Sequence, residues 1–260
     1  MNILITGARS NIGYSLAKTL SLRGHIVYAG CKTLKEKVTL EEKLNYEKII
    51  MFPIVLNLLD SDFDIDKLDI DCLILHASIG NGGSILELSN ERFNEVIDVN
   101  IKGNFRLLQK YLRYCYYHKR RGKVFITSSM AVFYPLPYLS TYTSSKLYLY
   151  QLANTLRLEL LYQGLDISIS LIMPGAYYTG FNDLMIDNKS KDEYILKDKA
   201  LTISKYQKIM FSIIENVDYM DLVKEVVREL EKPNPKFIIS RPLSQKIFTK
   251  LYILIKTFIV

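Results

Sequence analysis

Short apolar runs alternate with longer amphipathic stretches along most of this chain, and the first run breaks directly into a glycine-bearing turn. Asn2–Thr6 reads as a buried strand, and residues 11–23 as a helix with Ile12, Leu16, Ala17 and Leu20 on one face. Further strand-like runs follow at 25–29, 49–56, 72–76, 123–127 and 167–173, with a last one at 236–239 after the breaker Lys232-Pro233-Asn234-Pro235. Between them, Ser89 is placed to cap a helix running to about 118, with Arg92 where a capping box would have an acid, and 139–163 has helical spacing. A βαβαβ order of this kind predicts an α/β fold, a doubly wound, mostly parallel sheet inside three αβα layers. No repeat or composition break divides the 260 residues, so one domain over 1–260 is expected, with a distinct basic segment at about 245–260.

Composition narrows the class. At 49% hydrophobic and 23% charged the chain can fill a core and is neither disordered nor fibrous. Met1 leads straight into a strand rather than a charged leader, and no uncharged apolar stretch reaches eighteen residues, so a cytoplasmic chain without a spanning helix is expected. Cys31, Cys72 and Cys115 and the histidines His25, His76 and His118 are scattered, which favours neither a disulfide framework nor a metal site. The net charge is +7, but six basic residues and no acid lie between Lys232 and Val260, so the rest is nearly balanced. A nucleic-acid partner, which would need a basic face on the folded body, is therefore not expected.

The turn after the first strand reads Thr6-Gly7-Ala8-Arg9-Ser10-Asn11-Ile12-Gly13. Missing side chains at such a strand-to-helix turn let backbone N–H groups approach a pyrophosphate at the helix N-terminus. An ordinary βα turn is the structural alternative. Asn11 is the non-glycine residue type that best tolerates left-handed backbone angles. An acid at the end of the second strand would take the ribose 2′-hydroxyl of NAD; this chain has Ala29-Gly30-Cys31-Lys32. Arg9 and Lys32 would suit the 2′-phosphate of NADP, so NADP(H) is favoured over NAD(H), the alternative being two solvated surface charges.

Tyr142-Thr143-Ser144-Ser145-Lys146 holds a Tyr-x-x-x-Lys spacing that also occurs at Tyr14/Lys18, Tyr28/Lys32 and Tyr252/Lys256, so context decides. Tyr142 and Lys146 share one helix face, Ser129 ends a strand thirteen residues earlier, and Asn100 opens an N-x-x-G inside the preceding helix. A carbonyl taking hydride needs a proton from a positioned acid. Tyrosine at a pKa of ~10 does this efficiently only if a cation favours its phenolate; lowering it by ~3 pH units takes ~4 kcal/mol. Taken singly, each residue has a structural alternative: Tyr142 a half-buried anchor, Lys146 a solvated face, Ser129 a strand-end hydroxyl, Asn100 a polar helix residue.

Together, the glycine turn and the ordered set Asn100, Ser129, Tyr142 and Lys146 resemble the short-chain dehydrogenase/reductase family, from Thr6 to about Thr179. The turn is similar to the family's T-G-x-x-x-G-x-G, with Asn11 where the middle glycine stands. The resemblance implies a Rossmann-like NAD(P)-dependent oxidoreductase working on a small-molecule carbonyl or alcohol, as a homodimer or homotetramer built through the long helices. It implies that Lys146 also bonds the nicotinamide ribose, Ser129 polarises the substrate oxygen, and Asn100 supports a water-linked proton relay. Pro174, Gly175 and Thr179 stand where the family seats the nicotinamide carboxamide. Asn57, with Leu58 beside it, stands where the family often has the Asp that meets adenine, and His76-Ala77-Ser78 where it usually has N-A-G.

Three regions leave the substrate open. Tyr134-Pro135-Leu136-Pro137-Tyr138 is either an apolar pocket wall or a rigid proline loop, and 177–205 either a substrate-covering segment or, in its charged half at 189–199, a solvated loop. In 245–260, at about 100° per residue, Lys246, Thr249, Lys250, Lys256 and Thr257 fall on one side, and Ile247, Phe248, Leu251, Leu254, Ile255, Phe258 and Ile259 on the other. Such a helix packs on the body or a sister subunit, or makes peripheral contact with an anionic membrane. Alternatives to a general carbonyl reductase are a 3-oxoacyl reductase and a dinucleotide-binding sensor or scaffold without turnover.

Overall fold

A computed structural model describes residues 1–60, 63–187 and 197–259. Its strands are β1 (Asn2–Thr6), β2 (Ile26–Cys31), β3 (Phe52–Val55), β4 (Cys72–Leu75), β5 (Gly122–Thr127), β6 (Ile167–Pro174) and β7 (Ile238–Arg241). They form one seven-stranded sheet in the order β3-β2-β1-β4-β5-β6-β7, with every pairing parallel. This is the doubly wound, Rossmann-like arrangement. All strand C-termini therefore reach one edge, and the order reverses between β1 and β4, where such sheets open a crevice.

Strand alternation divides the core into two layers. Ile3, Ile5, Cys72, Ile74 and Phe125 face one side, where they meet α1 (Asn11–Leu22), α2 (Leu34–Glu47) and α8 (Met220–Leu230). Leu4, Leu73, Leu75, Val124 and Ile126 face the other, covered by α4 (Asn104–Tyr117) and α5 (Ser140–Tyr162). Strands apolar on both faces are what made them readable as continuous runs.

The long helix expected from 89 to 118 is not continuous. Ser89 does cap it, its hydroxyl accepting from Arg92 N at 3.3 Å, but α3 (Asn90–Val96) passes into a π-helical turn over Ile97–Gly103 before α4 begins. Helices α2 and α8 were not expected. α2 buries only Leu40 and Leu44, too narrow a stripe to stand out, whereas the Leu222, Val223, Val226, Val227 and Leu230 spacing of α8 was there to be read. The remaining helices are α6 (Phe181–Asp187), α7 (Lys197–Ile214) and α9 (Leu243–Ile259). Of the charged run at 189–199, positions 189–196 lie outside the described residues.

The three cysteines are buried thiols, and no described His, Cys, Asp or Glu cluster is arranged to hold a metal ion. No described helix is long and apolar enough to cross a membrane. Leu20 is fully buried where α1 meets the sheet. Leu20→Ala is expected to lower the unfolding free energy by about 2–5 kcal/mol, measured by urea denaturation.

Candidate active site

The turn between β1 and α1 is pressed against the end of β4. Gly7 takes φ +69°, and a Cβ there would lie 2.9 Å from Ala77 Cα. The buried Thr6 hydroxyl accepts from both His76 N (2.9 Å) and Ala77 N (3.0 Å), so one side chain fastens the two strand ends. Gly13 lies beneath the Gly7 carbonyl and the His76 ring, where a side chain has no room, and Ile12 is buried. Asn11 does adopt a left-handed conformation, at φ 53°. Its amide also donates to Thr179 O at 3.0 Å, joining this turn to the segment after β6. Ser10 caps α1 without a side-chain hydrogen bond to the first turn. These features fit a phosphate cradle: two positions without room for a Cβ at a helix N-terminus.

At the outer end, Arg9 and Lys32 are both exposed, as a 2′-phosphate site requires, but a carboxylate stands between them. Glu36 accepts from Lys32 N at 2.8 Å and pairs with Arg9 Nε at 3.4 Å, while its own N–H donates to the capping Thr33 hydroxyl. Reasoning that stopped at Lys32 missed this acid, although Thr33-x-x-Glu36 is a capping-box spacing. Asn57 closes the end of β3 by accepting from Leu59 N (3.2 Å) and donating to Asp60 Oδ1 (3.1 Å). A shallow cavity beside it is lined by Leu56, Asn57, Leu58, Gly103 and Arg106.

At the inner end, the four residues singled out earlier converge with β5. Tyr142 and Lys146 lie on the first turns of α5, 9% and 2% exposed. Ser129 follows β5, and its hydroxyl accepts from Ala131 N at 3.1 Å. Lys146 Nζ donates to Thr127 O at 3.0 Å and sits 5.8 Å from the Tyr142 ring centroid. Burial pushes the Tyr142 phenol up to about 12, with the Ser129 hydroxyl acting in the opposite direction. Burial also lowers the Lys146 ammonium to about 7. The phenol is thus raised by desolvation rather than lowered by Lys146 as expected. His76 bonds Thr127 Oγ1 at 3.2 Å and falls to about 4, through burial first and the nearby Lys146 charge second, so it is neutral at pH 7.

Asn100 is fully buried within the π-helical turn, a feature frequent at functional sites. Its amide accepts from Ile79 N and donates to Ile79 O and Ser145 Oγ, each at 2.9 Å. The side chain is thereby committed to holding the β4–α3 loop against α5. Ser78, at the start of that loop, is half-buried.

Two further elements, α6 and α9, close around the site. α6 rests on the site: the Phe181 and Tyr142 ring centroids are 5.6 Å apart, and Met185 packs against Gly80 while its carbonyl accepts from Gly82 N at 3.1 Å. With Leu139, Ile186 and Phe211 these side chains form an apolar cluster around Tyr142. Leu136 of the proline loop joins it, but Tyr134 turns away to α9. Gln245 of α9 brackets the strand end beyond Pro174 and Gly175, accepting from Ala176 N at 2.8 Å and donating to Ile214 O at 2.7 Å. Gly175 N donates to Arg241 O at 2.8 Å, and Gln245 and Pro242 leave no room there for a side chain.

Known proteins agree with this arrangement. The short chain dehydrogenase family profile matches residues 1–190. An uncharacterized short-chain type dehydrogenase/reductase of Sinorhizobium fredii is 26% identical over 85% of this chain and 88% of its own. The 3-ketodihydrosphingosine reductase of Bacteroides thetaiotaomicron is 30% identical over 70% of this chain and 65% of its own. A short chain dehydrogenase/reductase of Burkholderia phymatum, solved in complex with NAD, superposes with a TM-score of 0.81 at 17% identity, covering 96% of this chain and 91% of that one. The chain belongs to the short-chain dehydrogenase/reductase family of NAD(P)-dependent oxidoreductases.

Proposed function

We propose that the protein is an NADP(H)-dependent reductase of an apolar ketone, or the dehydrogenase of the matching alcohol, with Tyr142 as its general acid/base. The observation that carries this reading is the placement of Tyr142 on α5 beside the buried Lys146, whose Nζ lies 5.8 Å from the phenol ring centroid, with Ser129 just past the end of β5 and the glycine turn at the same sheet edge. The nicotinamide cofactor supplies the hydride. Gly7, Asn11, Ile12 and Gly13 would hold its pyrophosphate, Arg9 and Lys32 a 2′-phosphate, Asn57, Leu58, His76, Ala77 and Ser78 its adenosine side, and Pro174, Gly175 and Thr179 its carboxamide.

In the reducing direction the Ser129 hydroxyl bonds the ketone oxygen, and Tyr142 gives its phenolic proton as that oxygen becomes an alkoxide. The resulting phenolate is stabilised by the Lys146 ammonium. Asn100 acts as a positioning residue through Ile79 and Ser145. The apolar cluster of Leu139, Phe181, Met185, Ile186 and Phe211 favours a substrate with a hydrocarbon body. The relative that reduces 3-ketodihydrosphingosine supports the same substrate chemistry.

Tyr142→Phe should lower kcat by about 10²–10⁴-fold, while a fluorescence titration still detects cofactor binding; undiminished turnover would remove Tyr142 from the mechanism. The pH dependence follows from the two shifts. Tyr142, raised to about 12, stays protonated across the working range, whereas Lys146 loses its proton above about 7. For ketone reduction, kcat/KM should therefore decline as pH rises through about 7, and a profile flat from pH 6 to ~9, short of tyrosine's usual ~10, contradicts the assigned role of Lys146. At the other end of the site, Glu36→Gln removes a carboxylate facing the 2′-phosphate position. It should raise the preference for NADPH over NADH by roughly two- to fivefold in the same titration, and Arg9→Ala should lower it. Wild-type protein that binds neither nucleotide ends the enzymatic reading.

A further inference from the structure

The positive charge carried by Lys232 to Val260 divides into two parts. Lys232 and Lys236 lie 2.7 and 3.6 Å from the buried carboxylate of Glu229, and Arg241 lies 2.9 Å from Glu225, so these three are ion-paired within the fold. Lys246, Lys250 and Lys256 all belong to α9, a helix without an acidic residue, and none forms an ion pair among the described residues.

The way α9 is fastened determines where its apolar side points. Its contacts with the body run along Gln245, Thr249 and Tyr252. Gln245 holds Ala176, the buried Thr249 hydroxyl is 2.6 Å from Tyr134 OH, and the Tyr252 ring centroid is 4.9 Å from that of Tyr134. A helix turning about 100° per residue then directs Leu243, Ile247, Leu251 and Leu254 outward, with Phe248 and Ile255 along one border. All six are more than half exposed. The usual burial is reversed: a threonine is covered and the leucines face solvent. Lys250 flanks the outward stripe on the other border.

We propose that α9 lies on the surface of an anionic lipid bilayer, its apolar stripe in the headgroup–acyl boundary and Lys246 and Lys250 at the phosphates. Charge complementarity selects this occupant. A second copy of α9 would bring lysines against lysines with no acid on either helix to match them, whereas anionic headgroups pair with Lys250 and Lys246, which follow one another along the border of the stripe. The helix lies along the surface rather than across it, because lysines interrupt it and no described helix meets the requirement for spanning. Tyr134 and Gln245 link α9 to the segments flanking Tyr142 and following β6, so the lipid-facing surface and the site share one end of the molecule. This proposal stands independently of turnover.

The test is co-sedimentation of the full-length protein with vesicles of phosphatidylcholine alone or mixed with phosphatidylglycerol. The wild type should pellet with the mixed vesicles and far less with the neutral ones, and should be released as salt rises. Lys246→Gln and Lys250→Gln should each weaken binding about fivefold, and the double variant Ile247→Ser/Leu251→Ser should abolish it. Equal pelleting with both vesicle types, or of wild type and double variant, overturns the proposal. So does a wild type that ignores vesicles, including one whose mass by light scattering halves in the double variant, which would assign the stripe to a second copy.

Discussion

The buried ammonium of Lys146 is the group around which the candidate site is organised. At 2% exposure it has lost nearly all of its hydration, and its Nζ makes one direct bond, to Thr127 O. Desolvation on this scale is costly unless the charge is partnered or given up, and the fall to about 7 is the chain's response. Holding the lysine there requires that α5 cannot slide. Ser128 Oγ donates to Lys146 O at 2.8 Å, tying the helix to β5, and Asn100 donates to Ser145 Oγ, tying it to the π-helical turn. The widened turn over Ile97–Gly103 follows from the same need, since it is what presents the Asn100 amide to Ile79 and Ser145 together.

How much could be read from the sequence depended on how local the signal was. Strands buried on both faces leave unbroken apolar runs, so the sheet was legible. The ordered set from Asn100 to Lys146 was legible because its spacing follows the fold's own rhythm of strand, loop and helix. Elements whose residues answer to distant partners were not. Gln245 reads as an ordinary polar residue until it meets Ala176 and Ile214, and Met185 shows no sign in sequence of lying over Gly80 and Gly82. The pairing of Arg9 with Glu36 spans the gap between β1 and α2, so inspecting the end of β2 alone could not find it.

Two positions where this chain departs from its family's pattern, Asn11 and His76, acquire a contact of their own. Asn11 keeps the left-handed turn at some conformational cost relative to glycine, offset by its bond to Thr179 O, which a glycine could not make. His76 brings a titratable ring close to Lys146, yet its burial keeps it neutral, so it adds no like charge beside a lysine that is already strained for solvation. These departures therefore rearrange the walls of the cleft while leaving the electrostatics around Tyr142 to Lys146 and Ser129.

The position of α6 limits which substrates suit the proposed chemistry. Phe181 and Met185 rest against Tyr142 and the glycines of the β4–α3 loop, so a ligand approaching the phenol displaces apolar contacts before it makes its own. At roughly 25 cal/mol per Å² of apolar surface, re-exposing two such side chains costs a few kcal/mol. Under the proposed function, a small hydrophilic ketone would have little with which to recover that loss, whereas a hydrocarbon chain would replace part of the apolar contact. In the proposed chemistry, the same packing that shields Tyr142 from water would favour carbonyl compounds with a hydrocarbon body, while Ser129 and Tyr142 meet the reacting oxygen.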